Sequence, residues 1–391
     1  MGSHTAEHMT MVDEHSARNY APLPVVLSTG AGSWVEDVDG RRFLDMLSAY
    51  SALNFGHSHP EILNAFMEQA KRITLVSRAF QNDQFGPFCE QVTKLCRQDL
   101  VLPMNTGAEA VETALKAARK WGYTVKGVPE NQAEIICMTG NFHGRTISIV
   151  SFSDDPQYRH GFGPFTPGFK IVEYGCMDAL REAITPNTVG MLVEPIQGEG
   201  GIVVPPDGYL KQARELCREQ NVLFIADEIQ TGLGRTGRVF ACDHEDVHPD
   251  MVILGKALGG GVMPVSAVLS RKDVLGVFQP GDHGSTFGGN PLGSAVARAA
   301  MTVLTRDDLA GRADALGGPF MERLRSIKSP LIKEVRGKGL LIGIELHPEA
   351  GGAKKYCKLL KNEGVLCKET VDNVMRIAPP LTVTQEELDW G

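Results

Sequence analysis

The chain has 391 residues, of which 42% are hydrophobic and 22% are charged, and this composition excludes a disordered or fibrous protein. Its formal net charge is -8 and no run of lysine and arginine is interleaved with aromatic residues, so we expect small-molecule partners rather than nucleic acid. The eight cysteines form no CxxC pair, and no apolar run reaches the roughly 18 residues of a membrane helix, so we expect reduced thiols and a cytoplasmic protein without a membrane span.

In chain order, short apolar runs alternate with helical patterns from about residue 107 to residue 270. The predicted helices cover residues 107–122 and 208–221, and the predicted strands cover residues 133–140, 189–195, 222–228, 251–257 and 264–270. This alternation predicts a mostly parallel sheet with helices on both faces. Because ligands of such sheets gather beyond the carboxyl ends of the strands, the polar residues that follow each apolar run are the candidates for a site.

The pattern of the sequence changes after about residue 305. A charged helical segment at 307–327 is followed by strand-like segments at 334–346 and near the carboxyl end. We predict a smaller α+β domain over residues 306–391, which the amino-terminal segment 1–45 joins, and a large domain over residues 46–305.

The start of the helix at 107–122 has the features of a phosphate-binding turn. Thr106 and Glu109 have the spacing of a capping box, and Gly107 lets another group approach the backbone closely. The free amides at such a helix start suit a phosphate. A well-capped surface helix is the alternative, which this segment alone leaves open.

Two other polar residues follow apolar strands. Lys256 comes after "MVILG", where a partly desolvated amine can lose its proton and form a Schiff base with a carbonyl cofactor. Asp227 ends the run "VLFIAD", where a carboxylate can keep a pyridine nitrogen protonated. Together with the phosphate-binding turn, these residues match the needs of pyridoxal phosphate, although a solvated lysine remains the plain alternative for Lys256.

Three further motifs are weaker. Residues 232–237 spell the dinucleotide pattern GxGxxG, but they do not follow a strand directly and no helical pattern continues them. Residues 244–248 spell HExxH in a short polar segment, so we expect a loop rather than a zinc helix. His57 and His59 of "GHSHP" are expected in a turn, and no metal site is predicted.

Five segments are similar to those of a known family. They read "MNTGAEAVETALKAARKWGYTVKG", "VEPIQGEGG", "FIADEIQTGLGRTG", "ILGKALGGG" and "GSTFGGNPLG", and they resemble the class III, fold-type I pyridoxal-phosphate aminotransferases. The resemblance implies an α/β fold, in which a large domain has a mostly parallel seven-stranded sheet between helices and a second domain is a smaller α+β unit.

Within that class, "NYAPLP", "LSAYSALNFGHSHP", "TLVSRAF" and "GFGPFTPGF" resemble the ornithine δ-aminotransferases more than the acetylornithine or 4-aminobutyrate enzymes. The implied activity transfers the δ-amino group of L-ornithine to 2-oxoglutarate by a ping-pong mechanism, in a homodimer with active sites at the interface. "FHGRT" is also typical of acetylornithine aminotransferases, so an N-acetylornithine aminotransferase or another class III ω-aminotransferase remains the alternative. A nicotinamide-dependent oxidoreductase and a noncatalytic cofactor-binding protein are the remote alternatives. A mitochondrial matrix form that has lost its transit peptide stays open.

The resemblance also implies how pyridoxal phosphate is held. Lys256 would be the Schiff-base lysine, Asp227 the partner of the pyridine nitrogen, and Phe142 the residue stacked on the ring. Gln230 would contact the ring oxygen. The other implied cofactor residues are Thr106, Gly107 and Ala108 at the phosphate, His143 where animal ornithine enzymes have tryptophan, and Ser285 and Thr286 at the phosphate of the neighbouring subunit.

The substrate contacts implied by the resemblance involve two arginines. Arg145 would pair with the α-carboxylate of ornithine, helped by Tyr20 and Tyr50. Glu199 and Arg376 would form a salt bridge that masks the arginine while ornithine reacts and opens for 2-oxoglutarate. A bidentate arginine suits each carboxylate in turn.

Overall fold

A computed structural model describes residues 2–391 of the chain. In this range the α-helices are α1 (Ser3–His15), α2 (Ser48–Ser51), α3 (Pro60–Ala70), α4 (Phe85–Cys96), α5 (Gly107–Trp121), α6 (Pro156–Arg159), α7 (Met177–Ala183), α8 (Tyr209–Glu219), α9 (Lys272–Leu275), α10 (Pro291–Arg306), α11 (Leu309–Arg325), α12 (Lys354–Asn362) and α13 (Gln385–Trp390). The element α2 is one left-handed turn rather than a regular helix.

Fifteen strands form three sheets in the same range. They are β1 (Leu27–Ala31), β2 (Trp34–Asp37), β3 (Arg42–Asp45), β4 (Leu100–Met104), β5 (Glu134–Met138), β6 (Phe169–Val172), β7 (Thr188–Val193), β8 (Leu223–Asp227), β9 (Met251–Leu254), β10 (Ser266–Ser270), β11 (Ile332–Lys338), β12 (Leu341–Leu346), β13 (Val365–Leu366), β14 (Lys368–Val371) and β15 (Val374–Ile377).

The central sheet has seven strands in the order β4-β10-β9-β8-β7-β5-β6. The strands from β9 to β6 pair in parallel, and only β10 runs antiparallel to its two neighbours. Every residue of β7 and β8 is buried, because α5 packs against one face of the sheet and α8 against the other. The predicted mostly parallel seven-stranded fold is confirmed, as are the five strands predicted in this region.

The helix α5 begins where the capping box predicts. The Thr106 hydroxyl accepts the Glu109 N–H at 3.2 Å, and the Thr106 N–H donates to the Glu109 carboxylate at 2.7 Å. The helix buries a face of small residues and one tryptophan, Trp121, against the sheet. This packing points the start of α5 at the carboxyl ends of β8 and β9.

Two four-stranded sheets lie outside the central sheet, in the orders β1-β2-β3-β13 and β11-β12-β15-β14. The first joins the two ends of the chain, because β13 pairs in parallel with β3 through Val365 opposite Leu44. The Trp34 indole N–H also donates to Glu387 at 2.7 Å across this junction. The pairing supports a small domain built from both ends, while the boundaries at residues 45 and 305 stay a prediction.

Several elements carry no clear signal in the sequence. The strands β4 and β6 are short and partly exposed edge strands of the central sheet, so their apolar pattern is incomplete. The helix α1 is polar and mostly exposed, and its Thr5 hydroxyl donates to Asp39 at 2.5 Å. Across residues 2–391, no helix has the length and apolar character needed to span a bilayer.

Candidate active site

A cavity of about 230 Å³ lies beyond the carboxyl ends of β8 and β9, at the start of α5. The predicted site residues that line it are Gly107, Ala108, Phe142, His143, Asp227, Gln230 and Lys256. It is also lined by residues that the sequence analysis missed, namely Gly144, Glu194, Ile229 and Thr231. The structure therefore brings together the helix start, the strand-end carboxylate and the lysine.

Lys256 occupies an unusual backbone position. The strand β9 ends at Leu254, and Lys256 has a φ of 44° at the start of a short 3-10 turn, so the predicted strand 251–257 is shorter than expected. A left-handed conformation is uncommon outside glycine, and it turns the side chain out of the sheet direction. Burial lowers the pKa of the Lys256 amine, and the nearby charges of Asp227 and Glu199 only partly oppose this effect. A neutral amine is therefore more accessible here than on a surface lysine.

Asp227 forms a buried pair with His143. The Asp227 side chain is 4% exposed, and its Oδ2 accepts a hydrogen bond from His143 Nδ1 at 2.6 Å. The other oxygen, Oδ1, accepts the Ile229 N–H at 3.0 Å. Burial alone lowers the pKa of His143, but the hydrogen bond and charge of Asp227 outweigh it, so the pKa is raised. The pair is thus a charge-assisted hydrogen bond that holds the carboxylate in one orientation.

Glu194 is a site residue that the sequence analysis missed. Its Oε2 accepts the Phe142 N–H at 3.0 Å, and its Oε1 accepts the Gly198 N–H at 3.3 Å. Burial raises the pKa of Glu194 to about 7, and the charge of Asp227 acts in the same direction. Glu194 follows the buried strand β7, so the reasoning that singled out Asp227 after β8 could also have found it.

The phosphate-binding turn is closed on one side by Ile229. A Cβ at Gly107 would lie 3.0 Å from Ile229 Cδ1, so a larger residue would require the Ile229 side chain to shift. Thr106 and Gly107 also line a second cavity of about 390 Å³ that reaches Lys256 from the other side. Ser285 Oγ accepts a hydrogen bond from Asn105 Nδ2 at 2.7 Å, beside this turn, whereas the neighbouring Thr286 is exposed.

Arg145 lies among aromatic rings without an acidic partner in residues 2–391. Its guanidinium donates to the hydroxyls of Tyr20 and Tyr158, at 3.4 Å in each case. It also lies over the Phe142 ring, 5.1 Å from the centroid. Burial lowers the pKa of Arg145, but the two tyrosine contacts outweigh it and the pKa is raised. Tyr158 was not predicted, because it lies on the four-residue α6, which has no motif.

Arg376 is fully buried and has an acidic partner. It forms a hydrogen-bonded salt bridge with Glu199, and its NH1 group donates to Gln230 Oε1 at 3.1 Å. Gln230 in turn donates to Glu199 at 3.4 Å, and the Arg376 guanidinium lies 4.7 Å from the centroid of the Tyr50 ring. Burial tends to raise the pKa of Glu199, but Arg376 lowers it below the usual value. The predicted pair is therefore present. Tyr50, which was expected to help Arg145, lies against Arg376 instead, and the rings around Arg145 are those of other aromatic residues.

Two of the three weaker motifs, GxGxxG and HExxH, have structural roles. Arg235 of the GxGxxG segment is fully buried and donates to the Leu340 and Pro379 carbonyls, and no helix follows it directly. Glu245 of the HExxH segment accepts the Gly208 N–H at 3.1 Å, at the start of α8. Among residues 2–391, no three histidine, cysteine or acidic side chains are grouped so that they could hold a metal. The dinucleotide and zinc interpretations therefore lack support.

Comparisons with known proteins agree with this geometry. The family model for aminotransferase class-III matches residues 15–391. The chain is 60% identical over 389 residues to the ornithine aminotransferase of Geobacillus sp. (strain WCH70). This alignment covers 100% of this chain and 97% of the Geobacillus protein.

Two solved structures are similar over nearly the whole chain. The ornithine aminotransferase from Toxoplasma gondii, crystallised with oxidised glutathione and with partial occupancy of PLP at its active site, has a TM-score of 0.97 and 49% identity. This alignment covers 99% of this chain and 92% of that one. The acetylornithine aminotransferase from Elizabethkingia anophelis has a TM-score of 0.90 and 48% identity, with coverage of 99% and 96%.

The family match covers residues 15–391, and all three sheets lie within this range. It includes the lysine after β9 and the carboxylate at the end of β8, which sequence reasoning had singled out independently. This chain belongs to the class III aminotransferase family.

Proposed function

We propose that this protein is an ornithine aminotransferase, which moves the δ-amino group of L-ornithine to 2-oxoglutarate. The products are glutamate 5-semialdehyde, which cyclises to pyrroline-5-carboxylate, and L-glutamate. The observation that carries this proposal is the contrast between two arginines that contact residues lining the cavity. Arg145 lies over Phe142 and has no acidic partner in residues 2–391. Arg376 donates to Gln230 and is paired with Glu199. The names of the Geobacillus and Toxoplasma proteins support the same substrate.

The residues of the cavity fit pyridoxal phosphate, the cofactor of this family. The first-turn amides of Gly107 and Ala108 suit the phosphate, because such amides lack partners within a helix. The buried carboxylate of Asp227 suits a protonated pyridine nitrogen, and Phe142 offers a ring to stack on. Lys256 provides the amine that would hold the aldehyde carbon.

When bound, pyridoxal phosphate supplies an electron sink for the charge that remains after a carbon loses its proton. Once the substrate amine has displaced it from the aldehyde carbon, Lys256 Nζ would take a proton from the δ-carbon of ornithine as base and donate it to the cofactor carbon C4′ as acid. The pKa of this amine is lowered by burial, which increases its neutral fraction near neutral pH. His143 would keep the Asp227 carboxylate oriented throughout, through the hydrogen bond at 2.6 Å.

Arg145 would orient ornithine by its α-carboxylate. Tyr20 and Tyr158 each accept one guanidinium N–H, so each phenol proton is free to be donated to the same carboxylate. A carboxylate held by an arginine and two hydroxyls leaves the distal amine of ornithine as the group directed into the cavity. Orientation rather than reactivity then selects the δ-amine. We include Tyr158 in this substrate site on these contacts.

Arg376 would receive a carboxylate of 2-oxoglutarate after Glu199 has moved away. The salt bridge occupies both terminal nitrogens of the Arg376 guanidinium. Ornithine carries an amine rather than a carboxylate at its far end, so it has no group that could replace Glu199 there. A dicarboxylate substrate can compete for the same bidentate contact. Gln230 donates to Glu199 and accepts from Arg376, so it would stabilise the closed arrangement.

We also propose a homodimer with shared sites. Ser285 lies beside the phosphate-binding turn through its bond to Asn105, and the adjacent Thr286 and Phe287 are exposed. The exposed side chains of this segment are available for contact with a second copy, close to the turn. Cross-linking through a cysteine placed at Thr286 tests this arrangement, and a monomer by light scattering would contradict it.

N-acetylornithine is the second candidate substrate, because the Elizabethkingia acetylornithine enzyme is 48% identical to this chain. The deciding experiment follows the visible absorbance of the cofactor-loaded protein as L-ornithine or N-acetylornithine is added, with pyrroline-5-carboxylate trapped after 2-oxoglutarate is supplied. We expect ornithine to change the spectrum and trapped product to form. A response to N-acetylornithine alone would assign the chain to the other substrate.

A further inference from the structure

The loop that carries Tyr50 has an unusual backbone. Four consecutive residues, Ser48 to Ser51, have positive φ angles of 50°, 45°, 60° and 72°, and none of them is glycine. Left-handed residues of this kind usually occur singly, and a run of four persists only where surrounding contacts enforce it. The turn therefore requires an external support.

Asp45 provides the first part of that support. Its Oδ1 accepts the N–H groups of Leu47 and Ser48, both at 2.9 Å, and so fixes the entry to the turn. Its Oδ2 accepts a hydrogen bond from His57 Nε2 at 2.8 Å. One carboxylate thus joins the left-handed turn to a histidine twelve positions later in the chain.

His57 is itself held in place by β1 and the residue that follows it. Its backbone exchanges two hydrogen bonds with Gly32, at 2.8 and 3.0 Å. A Cβ at Gly30 would lie 2.9 Å from His57 Cγ, so the glycine allows the imidazole to pack directly on the strand. The imidazole therefore has little freedom to move away from Asp45.

The segment that leads into the turn is hydrogen-bonded to the chain just after β15, the strand that carries Arg376. The Met46 carbonyl accepts the Ala378 N–H at 2.7 Å, two residues after Arg376. The Tyr50 ring lies 4.7 Å from the Arg376 guanidinium, a cation–π distance. The position of the turn thus determines where the ring lies against the arginine.

Resting on the proposed function, we propose that His57 is a positioning residue for the Arg376 carboxylate subsite. It holds Asp45, Asp45 holds the left-handed turn, and the turn places Tyr50 on Arg376. The aromatic face then fixes the guanidinium in the orientation in which a dicarboxylate can replace Glu199. His57 touches neither substrate nor cofactor in this arrangement.

The test measures binding of glutarate, a dicarboxylate that cannot react, to the cofactor-loaded protein by calorimetry. His57→Leu removes the donor to Asp45, and we expect glutarate affinity to fall about 3- to 10-fold, the range of one cation–π contact. The KM for 2-oxoglutarate should rise by a similar factor, while the ornithine half-reaction stays within about twofold. His57→Gln retains an N–H donor and should restore most of the affinity.

His59→Gln is the matched control, since His59 belongs to the same "GHSHP" segment but makes no contact with Asp45. Unchanged glutarate affinity in His57→Leu, or an equal loss in both half-reactions, would overturn the inference. If His57→Leu does not fold, Asp45→Asn takes its place in the glutarate measurement. This variant keeps an oxygen to accept the Leu47 and Ser48 N–H groups and changes the atom that faces His57. Wild-type protein that fails to use ornithine would contradict the proposed function but would leave the glutarate comparison valid.

Discussion

The two arginines of the proposed substrate site differ in what surrounds the guanidinium group. Arg145 is exposed, lies among the rings of Tyr20, Phe142 and Tyr158, and has no carboxylate partner in residues 2–391. Arg376 is 0% exposed and paired with Glu199. An arginine between rings keeps its hydrogen-bonding capacity for a substrate, whereas a paired arginine must first exchange one carboxylate for another. The difference shows how one cavity can treat two carboxylates differently.

Removing the amine of Lys256 from the cavity should have the largest effect. We expect Lys256→Ala to lower turnover by at least about 10³-fold, because no other amine lines the cavity to move the proton. The loss of turnover should be equal in the ornithine and 2-oxoglutarate half-reactions, because both require the amine. The difference between the two arginines then has no effect on the rate. Coupled ornithine turnover measures it, with the exposed Lys211→Ala as control. A Lys256→Ala protein with wild-type activity would contradict the proposed mechanism.

The two arginines should differ in what their loss does to stability. Arg145→Gln should reduce kcat/KM for ornithine roughly 10- to 100-fold, with little change in Tm, since no buried partner is left behind. Arg376→Gln should also cost about 3 kcal/mol of unfolding free energy, because Glu199 loses its partner. Steady-state kinetics and urea unfolding measure both variants. Equal losses of unfolding free energy in the two variants would mean that the pairing with Glu199 does not make Arg376 more important for stability than Arg145.

The next test removes the acidic partner of Arg376, so that this arginine is unpaired as Arg145 is. Glu199→Ala should leave Arg376 open, and the preference for L-glutamate over ornithine as amino donor should rise about tenfold. A tenfold change in preference corresponds to about the free energy of one charge-assisted hydrogen bond. Competition between the two donors measures the ratio. An unchanged ratio would mean that the salt bridge does not mask the arginine.

Glu194 joins the two subsites, since it accepts N–H groups from Phe142 on one side and Gly198 on the other. Its pKa is raised to about 7 by burial, so the folded protein binds a proton that the unfolded chain releases near pH 4.5. This contribution to stability is present below about pH 4.5 and is lost as pH rises to about 7. Glu194→Gln should flatten that part of the profile of unfolding free energy against pH. An identical profile would exclude Glu194 as its source.

The sequence predicted those parts of the molecule that a local pattern encodes. The buried parallel strands appear as apolar runs, the start of α5 as a capping box, and Lys256 and Asp227 as polar residues after such runs. Tyr158 and Ile229 could not be predicted, because each acts through a tertiary contact that its neighbours in the chain do not reveal. The left-handed turn at Ser48 is also invisible locally, since no glycine marks it.

Pairing of the two chain ends has a consequence for the order of folding. Trp34 and the Glu387 that accepts its N–H are 353 positions apart. At ribosomal rates of about 5–20 residues per second, the first strands would wait roughly 18–70 s for this partner. The sheet β1-β2-β3-β13 likewise can close only after β13 has been synthesised, when the strands of the central sheet have all been made. Until then β3 exposes an unpaired edge, so this edge is where a chaperone would act on the nascent chain.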